Sequence, residues 1–119
     1  MNKGVKEAIE SITTEYKKNP LSFLNEQDIV CRLIGILKDK FPDKVRITSE
    51  AIKGHRSFAS RVHAEVDIPI KDDKKGRRRK VDITIFKNKN VELKGYRYNR
   101  KTPSCEVDLN DILFGIEVK

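Results

Sequence analysis

Apolar residues recur at helical spacing from the start of the chain. Val5, Ala8, Ile9, Ile12 and Tyr16 fall on one face, and Asn19-Pro20 ends the run, so a first helix is predicted over residues 3–18. A second stripe follows in Ile29, Val30, Leu33, Ile34, Leu37 and Phe41, closed by Pro42-Asp43. Asn25 is a suitable cap for it, and Glu26 and Asp28 place negative charge in the first turn, where the helix dipole favours it. The period then changes from helical to alternating. Val45–Thr48 is long enough for a short strand, and the stretch around Lys53, Gly54, His55 and Arg56 reads as a loop. Residues 61–70 alternate strictly, with Val62, Ala64, Val66, Ile68 and Ile70 on one face and Arg61, His63, Glu65 and Asp67 on the other. KDDKKGRRRK is a turn, and residues 80–86, with Val81, Ile83 and Ile85 on one face, form the return strand of a hairpin. Residues 87–111 are ambiguous: VELKGYRYNRK suits an extra strand or a flap, and LNDIL a short helical turn. LFGIEVK reads as a buried strand. The fold class expected is α/β (α+β), a small mixed central sheet with helices packed on it.

Length and composition narrow the class. The 119 residues suit one domain, 1–119, with 37% hydrophobic and 37% charged residues, enough patterned Val, Ile, Leu and Phe to exclude wholesale disorder. No apolar run is long enough to predict a membrane-spanning helix, and MNKGVKEAIES lacks the apolar core of a secretory signal. Six Gly, four Pro and two Cys exclude a collagen-like chain and a disulfide scaffold. Cys31, within IVCRLIGIL, reads as a small core residue. With no CxxC and no Cys/His cluster, zinc is not expected, and a reducing cytoplasm is the expected compartment. The excess of 26 Lys and Arg over 18 Asp and Glu gives +8, which points to a polyanionic partner such as nucleic acid.

The last strand carries the chemistry. Glu117 and Lys119 are two residues apart and emerge on one strand face, while Ile116 and Val118 face apolar packing. Asp82, between Val81 and Ile83, points away from its strand's core residues and stands beside Glu117 if the two strands are neighbours. Paired carboxylates are hard oxygen ligands suited to Mg²⁺ or Mn²⁺.

Asp82 in VDITIF and Glu117-Val118-Lys119 in FGIEVK resemble the PD-(D/E)XK nuclease superfamily, with its restriction-endonuclease-like core. FLNEQDIVCRLIGIL is similar to that family's first core helix, in which Glu26 matches a glutamate that can complete the metal site. Glu26 is four residues before Val30 and seven before Leu33, on the apolar stripe. A carboxylate there is costly to bury unless it is paired or holds a metal, and the alternative is a first-turn acid serving the dipole. The resemblance covers residues 21–119, leaving 1–20 as an added N-terminal helix. It implies hydrolysis of phosphodiesters, DNA favoured, with Glu26, Asp82, Glu117 and Lys119 as catalytic residues. Val81 stands where the family has proline. The separation of Asp82 and Glu117 marks 87–111 as an insertion. The family fold continues beyond its lysine with a helix and a strand. The resemblance therefore implies a core incomplete at the C-terminus: either a truncated chain or natural fragment, or a core completed by a homodimer or a partner chain. Some family members place a histidine or second glutamate on the first strand. By that likeness Glu65 is a candidate second-metal ligand and His63 a phosphate contact, against the plain alternative of a solvated strand face.

Two basic stretches supply candidate nucleic-acid contacts. The hairpin turn brings Lys74, Lys75, Arg77, Arg78 and Arg79, and the ambiguous region brings Lys94 and Arg97 interleaved with Tyr96 and Tyr98, whose rings suit stacking. A solvated hairpin tip and a packed extra strand are the alternatives. The expected function is a divalent-metal-dependent nuclease domain. The alternative is a non-catalytic or incomplete nuclease-like module that binds nucleic acid or a partner protein.

Overall fold

The structure, a computed structural model, describes residues 2–52, 54, 57–69, 78–97 and 104–118. Two helices, α1 (Lys3–Lys18) and α2 (Glu26–Lys40), precede seven strands: β1 (Lys44–Ser49), β2 (Ser57–Ser60), β3 (Val62–Pro69), β4 (Arg78–Phe86), β5 (Val91–Arg97), β6 (Ser104–Glu106) and β7 (Ile112–Ile116). The strands form one mixed sheet in the order β2-β1-β5-β6-β3-β4-β7. This is an α+β domain, with two helices packed on a seven-stranded mixed sheet. Among the described residues no helix is long and apolar enough to cross a membrane.

Both helices begin where their caps put them. The Asn2 side chain accepts from the Gly4 N–H at 2.9 Å, and the Asn25 side chain accepts from the Asp28 N–H at 3.0 Å. Asp28 returns a bond by accepting from the Leu24 N–H at 2.8 Å. Val5, Ala8 and Ile12 of α1 meet Val30, Leu33 and Leu37 of α2, and this stripe lies on Val62, Ile83 and Ile85 of the β3–β4 hairpin. Arg32–Glu15 at 3.0 Å and Lys40–Glu7 at 2.7 Å link the two helices along their solvent edges. Arg61 is buried at the foot of the hairpin. Its Nε donates to the Phe86 carbonyl at 2.9 Å, and its guanidinium lies 5.1 Å from the Phe41 ring centroid, so its charge is met by a carbonyl and a π face. Val45, Phe86, Val91 and Val107 form a second core, joined by Ile47, Val66, Leu93 and Ile112.

The sheet departs from the sequence pattern in three places. The strict alternation over 61–70 breaks within β3: Val62 packs in the first core, Ala64 is exposed and Val66 packs on the second. Glu65 at the break has φ of +51°, a left-handed conformation that a regular strand does not use. The ambiguous region contributes β5 and β6, which lie in the middle of the sheet, with β5 parallel to β1. Residues read as an insertion therefore bridge the two halves of the sheet. Residues 112–116 form an edge strand, covered by the helices on one face only, so Phe114 and Ile116 pack inward while Leu113 is exposed. Cys31, expected in the core, is exposed on α2 beside Gln27, because the buried stripe of that helix runs through Val30, Leu33 and Leu37.

Candidate functional site

The β3–β4 and β4–β7 ladders set the rows of the site. β4 and β7 are antiparallel, with Ile83 opposite Ile116, Thr84 opposite Gly115 and Ile85 opposite Phe114. Continuing that register by one position sets Asp82, in the middle of β4, opposite Glu117, the first residue after β7. On its other side, Asp82 falls opposite Glu65, between the pairs Ala64–Ile83 and Val66–Val81. By register, Glu65 of β3, Asp82 of β4 and Glu117, the residue after β7, thus fall in one row.

Each carboxylate has a distinct environment. Asp82 is half-buried, and its Oδ2 accepts from the Val118 N–H at 2.8 Å, which holds the chain after β7 against β4. Its second oxygen, Oδ1, is the donor it can offer to a cation. Glu117 forms an ion pair through Oε1 with Nη2 of Arg79, three residues before Asp82 on the same hairpin strand. Glu65 is exposed at the strained bend of β3. In the next row His63 faces Thr84, which faces Gly115. Thr84 is fully buried, and its Oγ1 has no hydrogen-bond partner among the described residues. His63 donates from Nε2 to the Ser60 carbonyl at 2.6 Å and tilts against Phe86 with ring centroids 5.0 Å apart. Burial pushes its pKa below the usual 6.5, and the Lys38 charge adds to that, against the Ser60 bond, which favours the protonated ring.

Glu26 does not join this row. It is the first residue of α2 and is exposed, so it is not a buried carboxylate that needs a partner. The packed part of the helix begins a turn later, at Val30, which leaves the first-turn acid at the dipole end in solvent. Among the described residues no group of three or more His, Cys, Asp or Glu converges to hold a metal. Two neighbouring carboxylates still fit a magnesium-type ion, which commonly takes one or two protein carboxylates and keeps several waters.

Of the residues assigned to nucleic-acid binding, Lys74, Lys75, Arg77 and Tyr98 lie outside the described residues, as does Lys119. Arg78 is on β4, and Tyr96 and Arg97 are on β5. Lys94 is bonded to Asp108 at 3.3 Å, and Arg79 to Glu117, so each contacts an acid already. Lys89 likewise meets the buried Asp111 at 2.8 Å. The Arg79–Glu117 contact escapes a sequence reading because it depends on the β4–β7 pairing, which brings residue 79 to a residue near the far end of the chain. Elsewhere, Glu15, Ser22, Phe23, Asp28, Cys31 and Arg32 line a cavity of about 400 Å³ between the helices and the turn joining them. Comparison of the chain with protein-family models, with curated proteins and with solved structures gives no match.

Proposed function

We propose that this chain carries a divalent-metal-dependent phosphodiesterase site of the nuclease type, acting on nucleic acid with DNA favoured. The observation that carries the proposal is the register that sets Asp82, in the middle of β4, opposite Glu117 where the chain leaves β7, with Asp82 bonded to the next N–H, that of Val118. Two carboxylates in neighbouring strands repel each other unless a cation is near, and that repulsion is what a metal site exploits. Mg²⁺ or Mn²⁺ held there supplies Lewis acidity toward a phosphate oxygen and lowers the pKa of its bound water. Asp82 Oδ1 and the Glu117 carboxylate are the protein donors. Asp82 Oδ2 stays on the Val118 N–H and fixes the carboxylate plane. Lys119, two residues after Glu117, has the charge to stabilise a phosphorane. The net charge of +8 supports a polyanionic substrate. Glu26 is left out of this metal set because it is exposed one turn before the packed part of its helix.

The test pairs metal binding with cleavage. Mn²⁺ is titrated calorimetrically into the protein, Asp82→Asn and Glu117→Gln. End-labelled single-stranded, duplex and branched DNA and a single-stranded RNA are then incubated with Mg²⁺, Mn²⁺ or EDTA. The expected result is metal binding and metal-dependent cleavage in the wild type, with cleavage reduced at least about a hundred-fold in both variants. Cleavage that persists in EDTA or in Asp82→Asn would remove the proposal. Salt-sensitive DNA binding without metal binding would favour the non-catalytic nucleic-acid module.

A further inference from the structure

We propose that Arg79 is the resident counter-cation of this site: it neutralises Glu117 when no divalent cation is bound and gives the carboxylate up when one binds. The inference rests on Asp82 and Glu117 being the metal donors.

Three observations lead to it. The first is the contact itself, between Arg79 Nη2 and Glu117 Oε1, joining β4, which carries Asp82, to the residue that follows β7. The second is exposure: the side chains are 58% and 29% exposed, so water screens the pair and little is lost when it opens. A doubly charged ion between two carboxylates outbids a single guanidinium in that setting. The third is position. Arg79 lies on β4 three residues before Asp82, so a guanidinium released from Glu117 stays tethered close to the two carboxylates. A planar guanidinium matches a phosphate as well as it matches a carboxylate. The ion pair thus sets the apparent metal affinity. Lys80 is the natural control: it bears the same charge one residue on, is exposed, and pairs in register with Asp67 on the opposite strand.

Mn²⁺ affinity measured by calorimetry tests the proposal, without nucleic acid and at one ionic strength. The wild type is compared with Arg79→Ala, Arg79→Lys and Lys80→Ala, each checked for native circular dichroism. Arg79→Ala is expected to bind Mn²⁺ about three- to ten-fold more tightly, Arg79→Lys to fall between it and the wild type, and Lys80→Ala to change affinity less than about two-fold. Unchanged or weaker binding by Arg79→Ala overturns the proposal and leaves the metal site standing. Equal tightening by Lys80→Ala also overturns it, because general electrostatics would then account for the effect. If neither the wild type nor any variant binds Mn²⁺, the metal site fails and the counter-cation role fails with it.

Discussion

His63 shows how one side chain couples folding stability to pH. Its ring is half-buried against Phe86 and donates to the Ser60 carbonyl, and its pKa is held below the usual 6.5. In the unfolded chain the same imidazole returns to about 6.5. Below that value the unfolded state binds the extra proton more readily, so stability must fall as the pH drops. His63 therefore contributes fully above about pH 6.5, and its contribution is lost as the pH falls toward its depressed folded value. Glu7 and Asp108 are also held below their ordinary values, by Lys40 and by the Asn110 N–H respectively. What they contribute is lost only in the more acidic carboxylate range. The midpoint of thermal unfolding should fall between pH 7.5 and pH 5.5 in the wild type and fall less in His63→Gln. Parallel melting curves that drop equally would show that burial of His63 is not the cause.

At the scale of elements, the start of α2 and the bend in β3 do opposite things. The α2 cap is local: Asn25 satisfies the Asp28 N–H and Asp28 satisfies the Leu24 N–H, so five consecutive residues, 24–28, specify the helix start. Asn25→Ala should cost about 1 kcal/mol in urea denaturation, and Asn25→Gly only a few tenths. A loss below the error of the measurement in Asn25→Ala would mean that packing, not the cap, positions the helix. The bend at Glu65 is not local in this sense. Nothing in RVHAEVDIPI marks residue 65, whose neighbours alternate as in any half-buried strand. The left-handed turn of the backbone lets Val62 serve the helix-side core and Val66 the second one. One strand thereby contributes to both cores, at the level of Asp82.

For the whole molecule the governing quantity is charge. With 26 basic and 18 acidic residues, the chain attracts a polyanion at long range whatever its site does. Several cations are already paired with acids, Arg79, Lys89 and Lys94 among them, so the count of basic residues overstates the contacts available. If about five phosphates are neutralised on duplex DNA, the logarithm of the binding constant should fall with the logarithm of salt at a slope near −4.5. Fluorescence anisotropy with a labelled duplex between 50 and 200 mM salt measures it (about a four-fold range, wide enough to fix the slope). A slope near zero would remove nucleic acid as the partner the charge selects.

By itself the sequence determined the two helices, the Asn25 cap of the second, the β3–β4 hairpin and the apolar faces that these elements bring to the first core. These follow from local periodicity and from side chains that satisfy backbone groups a few residues away. It also singled out Asp82 and Glu117, since a carboxylate between two strand residues that face the core must point away from them. What only the tertiary structure decided is everything that depends on which strand lies beside which. The ambiguous region became two central strands, and the apolar last strand became an edge. Glu26 stayed in solvent because helix packing starts one turn after it. Arg79 met Glu117 because a ladder joins β4 to β7, whose paired residues are 26 to 33 positions apart in the chain. Strand neighbours are chosen by long-range burial and closure of the sheet, and a period of two along one strand contains no information about its partner.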